Sequence, residues 1–331
     1  MAVRAAAGVH HGRRAAERPV ASTTCDDVRA GRRRRAAPRP EASRGPAVRA
    51  ADDLRGGVTV RRLALNQKTT NRWSVEQAVN GCVRAGIEWI GLWREPVHDH
   101  GVAAAARLVA DAGLRVSSLC RGGFITAFPG GERDATLEDN RRAIDEAAAL
   151  GAQCLVMVVG GLPDGSRDLA GARSRVADGI ASLVPYAQQA GVRLALEPMH
   201  PMYCADRGVL STLDQSLDLA APHPADAVGV VVDTFHVWWD PRVEAAIERA
   251  AGRIASFQVC DWITPLPADA LLSRGMMGDG HIDFRHLRRL VEAAGYDGPI
   301  EVEIFNADIW AADPDDVVAL MRKRYDEHVL D

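Results

Sequence analysis

The sequence lacks the features of a membrane-spanning or disulfide-rich secreted protein. No apolar run among its 331 residues approaches the roughly 20 residues that a membrane-spanning helix needs. The cysteines form no CxxC pair, and most fall inside predicted strands or helices; they are Cys25, Cys82, Cys120, Cys154, Cys204 and Cys260. This pattern is typical of reduced, buried thiols. We therefore expect a soluble, cytoplasmic protein with no membrane partner.

The usual signatures of nucleotide binding are also missing. No GxGxxG follows the first predicted strand, and the chain contains no GxxxxGK[ST]. Both motifs bring backbone N–H groups to a phosphate at the start of a helix. Their absence argues against the usual dinucleotide-binding and P-loop folds.

Charge divides the chain into two regions. Residues 1–57 contain thirteen Arg against six Asp or Glu, which is a net charge of about +7. Because the whole chain has a net charge of −4, residues 58–331 carry about −11. Because the second region is acidic, we expect no nucleic-acid partner. The first region is rich in Arg, Ala and Pro and nearly devoid of large apolar residues, so we predict a disordered extension. It could instead be translated upstream sequence, with the native start near Val58 or Val60, and we favour that interpretation.

From Arg62 onward, strands and helices alternate to the end of the chain. The predicted strands are Leu63–Asn66, Trp89–Trp93, Arg115–Cys120, Cys154–Val159, Arg193–Leu196, Val228–Asp233, Ile254–Val259 and Ile300–Ile304. The predicted helices are Ser74–Ala85, Val102–Ala112, Leu137–Leu150, Leu169–Ala190, Leu213–Ala220, Arg242–Ala251, Phe284–Ala294 and Asp315–Glu327. Eight such units predict an α/β fold, a single (β/α)8 barrel over residues 58–331, with an open doubly wound sheet as the competitor.

Polar side chains stand where four consecutive predicted strands end. These residues are Glu197, Asp233, Gln258 and Glu303. In a (β/α)8 barrel the C-terminal strand ends meet at one mouth, where active sites are built. A set of oxygen ligands suits Mg²⁺ or Mn²⁺ better than zinc. Each residue taken singly could also be a strand-end cap or a surface ion pair.

Five segments carry a resemblance to a known family. They are LALEPMHP (194–201), VVDTFHVWWDP (231–241), SFQVCDW (256–262), RGMMGDGHIDF (274–284) and GYDGPIEVEIF (295–305). They resemble the xylose-isomerase-like TIM barrel superfamily, and within it the proteins labelled sugar phosphate isomerase/epimerase. The resemblance covers about residues 62–331.

The resemblance implies a divalent metal held by the four strand-end residues named above. It also implies substrate-binding groups at His236 and Arg274. Many family members have His in place of Gln258, whereas hydroxypyruvate-isomerase-like members are similar to this chain in having Gln at this position. The endonuclease IV branch needs a His-rich zinc cluster that the strand ends do not provide.

Further residues are expected at the same mouth. Trp93 and Arg121 follow the second and third strands and suit a sugar or an acidic group. His200, three residues after Glu197, is a candidate general base or hydroxyl ligand, or a rim histidine with no chemical role. No nest of glycines marks a phosphate site.

These residues suit proton transfer next to a carbonyl. We expect a metal-dependent isomerase or epimerase of a sugar, keto-sugar or polyol-derived substrate, in which Glu197 and Glu303 move the proton through a metal-stabilised enediolate. A lyase acting on a keto-sugar, such as a dehydratase or C-glycoside-cleaving enzyme with His200 as an extra acid or base, is the alternative. An inactive binding barrel and a repair nuclease are less favoured. The sequence is compatible with a homo-oligomer or with a small partner subunit.

Overall fold

Residues 62–330 are described by the computed structural model, and they form a closed eight-stranded parallel barrel. The strands are β1 (Leu63–Asn66), β2 (Trp89–Trp93), β3 (Arg115–Gly123), β4 (Leu155–Val158), β5 (Leu194–Leu196), β6 (Val228–Asp233), β7 (Ile254–Val259) and β8 (Ile300–Val302). Each strand pairs with its neighbours along the chain, and β8 closes the barrel onto β1. The predicted (β/α)8 barrel is confirmed. The predicted disordered extension lies outside the described residues.

Helices surround this barrel. They are α1 (Val75–Ala85), α2 (Arg94–His100), α3 (Val102–Asp111), α4 (Gly131–Leu150), α5 (Leu169–Ala190), α6 (Leu213–Ala220), α7 (Thr234–Val237), α8 (Val243–Arg249), α9 (Phe284–Ala293), α10 (Ala307–Ala311) and α11 (Pro314–His328). None of the described helices is both long and apolar enough to cross a membrane.

Local sequence signals explain why most predicted boundaries agree with the structure. Ser74 caps α1 in a reciprocal capping box with Gln77, and Gly86 ends the helix at φ +66°. The short helices α2, α7 and α10 were not predicted, because each lasts no more than two turns at or just after the end of a strand. The N-terminal part of α4 was also missed, since residues 131–136 carry no apolar period.

Two hydrophobic layers hold the barrel. The larger layer lies between strands and helices, and includes Leu65, Ile90 and Phe257. The smaller layer is formed by small side chains, among them Cys120, Cys154, Val156, Ala195 and Val231. Small residues fit the narrow interior of an eight-stranded barrel, which is packed and not open.

The long segment between the predicted strand Ile254–Val259 and the predicted helix Phe284–Ala294 contains a short antiparallel ribbon. Asp261–Trp262 pairs with Arg274–Gly275. Asp261 accepts hydrogen bonds from the N–H groups of Gly278, Gly280 and Ile282. The ribbon and this anchored turn together fix the backbone of Arg274 above the barrel mouth.

Candidate active site

Four oxygen-bearing side chains lie together at the C-terminal mouth of the barrel, as the sequence predicts. Asp233 ends β6, Gln258 lies near the end of β7, and Glu197 and Glu303 directly follow β5 and β8. Gln258 is in register with Asp233 on one side and with Glu301 on the other. All four predicted residues are buried. The closed barrel therefore turns four distant positions in the sequence into one polar centre.

The carboxylates of this centre are close enough to repel one another. Ligand atoms of Glu197, Asp233 and His236 all lie within 4.8 Å of one another. Burial, together with Glu303 and Asp233, raises the pKa of Glu197 well above its usual value. Burial raises the pKa of Glu303 to about 7, and Arg274 opposes the rise. Several carboxyl groups thus share one desolvated site, which disfavours their simultaneous ionisation unless a cation is bound.

Gln258 contributes polar atoms that have no partner. Its side-chain oxygen and nitrogen are both buried, and among the described residues neither has a hydrogen-bond partner. A buried amide without a partner is destabilising and is usually satisfied by a ligand, ion or water. Its oxygen is therefore available to a group bound between β6 and β8.

Arg274 is the only buried cation that directly contacts these carboxylates among the described residues. Its Nη1 donates to Asp233 Oδ2 at 3.0 Å and to Glu303 Oε2 at 2.9 Å. The guanidinium lies 4.8 Å from the ring of Phe235 and 5.2 Å from that of Phe305. The one cation is shared by two carboxylates, and it acts on Glu197 at longer range without a direct contact among the described residues.

His236 is held in a defined tautomer. Its Nδ1 accepts a hydrogen bond from the backbone N–H of His200 at 3.0 Å, so in the neutral ring the proton is on Nε2. Burial, with Arg274 and His200 nearby, lowers the pKa of His236 well below its usual value and favours that neutral ring. Nε2 faces Arg274 Nη2 at 3.1 Å. Two N–H donors therefore lie close together, and a ligand oxygen beside both could accept a hydrogen bond from each.

His200 lies beside the cavity and is not among the residues that line it. Its ring packs on Trp262, with centroids 4.7 Å apart, and on Trp239 at 5.5 Å. Its Nδ1 accepts the backbone N–H of Met202, and burial lowers the pKa of the ring. The contact that reaches the site is its main-chain N–H on His236.

The structure adds Glu301, which the sequence analysis did not select. Its carboxylate accepts hydrogen bonds from the hydroxyls of Ser117 and Ser118 and from Asn66 Nδ2, the shortest two at 2.6 Å. Asn66 Nδ2 also donates to Glu303 Oε1 at 3.2 Å. Glu301 thus lies below Glu303 inside the barrel and is linked to it through Asn66. Strand alternation was the available signal, because residues 301 and 303 share one face.

The mouth encloses a cavity of about 250 Å³. Lining side chains include Glu197, His236, Arg274 and Glu303 from the centre and, around the rim, Lys68, Trp93, Glu95, Arg121, Phe124, Arg207 and Phe305. Trp93 donates from Nε1 to Asn66 and packs edge-on against Phe305. The structure thus brings every predicted substrate-binding residue (His236, Arg274, Arg121 and Trp93) to one cavity.

The residues of the centre fit a divalent cation. Glu197, Asp233 and Glu303 carry three potential negative charges against one guanidinium, and Gln258 adds an amide oxygen that no group in residues 62–330 partners. Buried charges of one sign need a counter-charge. His236 completes the cluster in space, but the tautomer set by His200 directs N–H and not a lone pair into it.

A parallel barrel with such a polar centre at its C-terminal mouth defines a (β/α)8 barrel protein with its candidate site at the face where barrel enzymes place theirs. Residues 79–324 match the family model of the xylose isomerase-like TIM barrel. The chain belongs to the xylose isomerase-like TIM barrel family.

Individual relatives agree with this assignment. The crystal structure of protein SMc04130 from Sinorhizobium meliloti 1021 is 46% identical, with a TM-score of 0.78, over 81% of this chain and 98% of that one. The IolI protein, whose structure holds a zinc atom, is 18% identical with a TM-score of 0.70, over 81% and 98% of the two chains, and shares the fold.

One curated relative matches in part. The L-ribulose 3-epimerase of Mesorhizobium japonicum is 28% identical over 137 residues, which are 41% of this chain. The match spans 42% of that relative's length.

Proposed function

We propose that this protein is a divalent-metal-dependent isomerase or epimerase of a sugar, keto-sugar or polyol-derived substrate. The observation that carries the proposal is the cluster of three buried carboxylates and an amide oxygen without a partner on four neighbouring strands. The partial match to an L-ribulose 3-epimerase supports the reaction class, and the zinc atom of the IolI structure supports a divalent metal.

Glu197, Asp233, Gln258 and Glu303 would hold the cation. Such an ion, when bound, supplies Lewis-acid polarisation of a substrate carbonyl and its neighbouring hydroxyl. Oxygen ligands favour Mg²⁺ or Mn²⁺.

Glu197 and Glu303 are the proposed acid–base pair. They follow β5 and β8, with β6 and β7 between them, and so approach the cavity from opposite sides. One carboxylate takes the C–H proton, and the electron pair of that bond delocalises into the carbonyl to give an enediolate. The other returns a proton to the neighbouring carbon in an isomerase, or to the opposite face in an epimerase.

His236 and Arg274 would orient the substrate. Nε2 of the ring and Nη2 of the guanidinium are 3.1 Å apart and both carry N–H in this tautomer, so a single substrate oxygen beside them would accept from both. That oxygen would relieve the close approach of two donors and would carry charge during proton removal.

Proton NMR in D2O tests the proposal. Purified protein loaded with Mg²⁺ and incubated with a panel of ketoses and keto-sugars should introduce deuterium at a carbon next to the carbonyl and yield an isomer or epimer. Asp240→Asn is the matched control, because Asp240 accepts from Arg242 N–H in the turn after α7, away from the cavity lining. Loss of water or cleavage of the substrate would contradict an isomerase.

A second variant separates the lyase alternative. In an isomerase the two glutamates complete both proton transfers, so His200→Gln should lower the rate about tenfold or less. A lyase that used His200 on its leaving group would lose about 10²–10⁴-fold. A hundredfold loss that eases with a more acidic leaving group would overturn the isomerase proposal.

A further inference from the structure

Three cationic side chains stand at the rim of the cavity, and of these Lys68 is near enough to the carboxylate centre to lower the pKa of Glu303. Lys68 follows β1, Arg121 lies near the end of β3, and Arg207 lies in the segment after β5. Glu95 is the acidic residue among the rim residues that line the cavity. The rim is therefore basic, although residues 58–331 as a whole are acidic.

These cations are poorly neutralised by the protein. Arg121 forms no ion pair with any carboxylate in residues 62–330, and its guanidinium lies 4.2 Å from the ring of Phe124. Arg207 approaches Asp206 only at 3.6 Å. Lys68 reaches the amide oxygen of Asn71 at 3.3 Å and lies 4.8 Å from the Trp93 ring.

A neighbouring arginine gives a contrasting case. Arg94 follows Trp93 and is bound by two carboxylates, Asp139 at 2.9 Å and Glu146 at 2.7 Å. Burial lowers the pKa of Arg121, and the nearby charges of Arg207 and Arg94 lower it further, whereas the charge of Glu95 raises it. A partly buried arginine beside other cations is destabilising unless something bound supplies negative charge.

The backbone that carries these side chains is fixed. Asn140 brackets the residues after Arg121, accepting from Gly123 N–H and donating to Gly123 O. The Arg207 carbonyl accepts from Gly160 N–H, and its N–H donates to Tyr203. Side chains on such a frame bind a ligand with little loss of backbone entropy.

We propose that Arg121 and Arg207, with Lys68, bind an anionic group, a carboxylate or a phosphate, at the end of the substrate remote from its carbonyl. This inference rests on the proposed function and narrows its substrate class to acidic or phosphorylated sugars. Guanidinium groups suit both anions through paired N–H donors. A cavity of about 250 Å³ holds one monosaccharide-sized molecule, so the anion and the reacting carbonyl belong to the same small ligand.

Titration calorimetry on the Mg²⁺-loaded full chain tests this with three ligands of equal carbon number. These are a neutral ketopentose, its terminal phosphate ester and the corresponding keto-acid with a terminal carboxylate. At least one anionic ligand should bind roughly tenfold or more tightly than the neutral sugar. The anionic ligand that binds more tightly shows whether the site prefers a phosphate or a carboxylate.

Variants show whether the named residues cause the preference. Arg121→Gln and Arg207→Gln should each weaken binding of the preferred anionic ligand roughly tenfold to a hundredfold and leave the neutral sugar unchanged. Arg141→Gln is the control, because Arg141 pairs with Glu138 on the exposed face of α4. The inference is overturned if neither anionic ligand binds more tightly than the neutral sugar, or if Arg121→Gln weakens all three equally. Charge preference without deuterium exchange would refute the proposed reaction alone.

Discussion

The two sides of the barrel mouth have opposite chemistry. The side built by β5 to β8 carries the carboxylates Glu197, Asp233 and Glu303. The rim carries Lys68 after β1, Arg121 near the end of β3 and Arg207 in the segment that follows β5 and Glu197. Strand-end positions in a barrel all face one space, so the two sets can act on one bound molecule. The difference separates a proposed reacting end from a proposed recognition end.

Arginines on the two sides show how the same side chain serves different purposes. Arg274 is buried between two carboxylates and two aromatic rings, which fixes its position. Arg121 has an aromatic ring below it and no carboxylate bound to it in the described chain. A satisfied arginine organises the protein, whereas an unsatisfied one in a cavity is available to a ligand.

The largest expected effect is on the acidic side. Glu303→Gln removes a proposed proton carrier and one partner of Arg274 while keeping the shape of the side chain. We expect turnover to fall about 10²–10⁴-fold. Steady-state rates on the substrate found by NMR provide the measurement, and Asp240→Asn should stay within a few-fold of the unmodified protein. An equal loss in the two variants would break the assignment of the acidic side.

A smaller effect sharpens the contrast among the arginines. Arg94→Gln leaves the mostly buried Glu146 with only His98 nearby, at 3.0 Å, so the free energy of unfolding should fall by about 2–4 kcal/mol. Arg121→Gln, which breaks no ion pair, should change it by less than about 1 kcal/mol. Urea unfolding measures both. If Arg121→Gln destabilises the fold as much as Arg94→Gln, then Arg121 is structural and the basic rim is not a recognition site.

The smallest effect concerns the buried support of the acidic side. Glu301→Gln keeps one acceptor oxygen but places an amide N–H₂ group against Ser117 and Ser118, whose hydroxyls can rotate to accept. We expect a loss of about 1–2 kcal/mol in unfolding free energy. Because Asn66 links Glu301 to Glu303, kcat should also fall less than tenfold with KM unchanged. A changed KM with kcat preserved would contradict a positioning role for Glu301.

The sequence was informative wherever period and spacing determine geometry. Strand β6 was predicted with its observed bounds, and the strand-end rule brought Glu197, Asp233, Gln258 and Glu303 to one mouth. The rule selects residues within one position of each predicted strand end, which is why Glu301, the second residue of the predicted strand Ile300–Ile304, was passed over. The tautomer of His236 depends on a backbone N–H 36 residues away, and such a contact has no signature in the sequence.

The contacts of Arg274 could not be predicted from the sequence either. Its contact with Asp233 and Glu303 requires the ribbon of Asp261–Trp262 and Arg274–Gly275, which is two residues long in each strand. Two-residue strands carry no periodic pattern. Its expected presence at the site came from the family resemblance, while its contacts became visible only in three dimensions.

Calorimetric titration of Mn²⁺ into the metal-free protein tests the division of the mouth most directly. The unmodified protein and Arg121→Gln should each bind one ion with the same affinity, because Arg121 contributes nothing to the carboxylate centre. Asp233→Asn removes a charged oxygen from that centre and should bind at least a hundredfold more weakly. Equal Mn²⁺ binding by Asp233→Asn and the unmodified protein, or a loss caused by Arg121→Gln, would contradict the account.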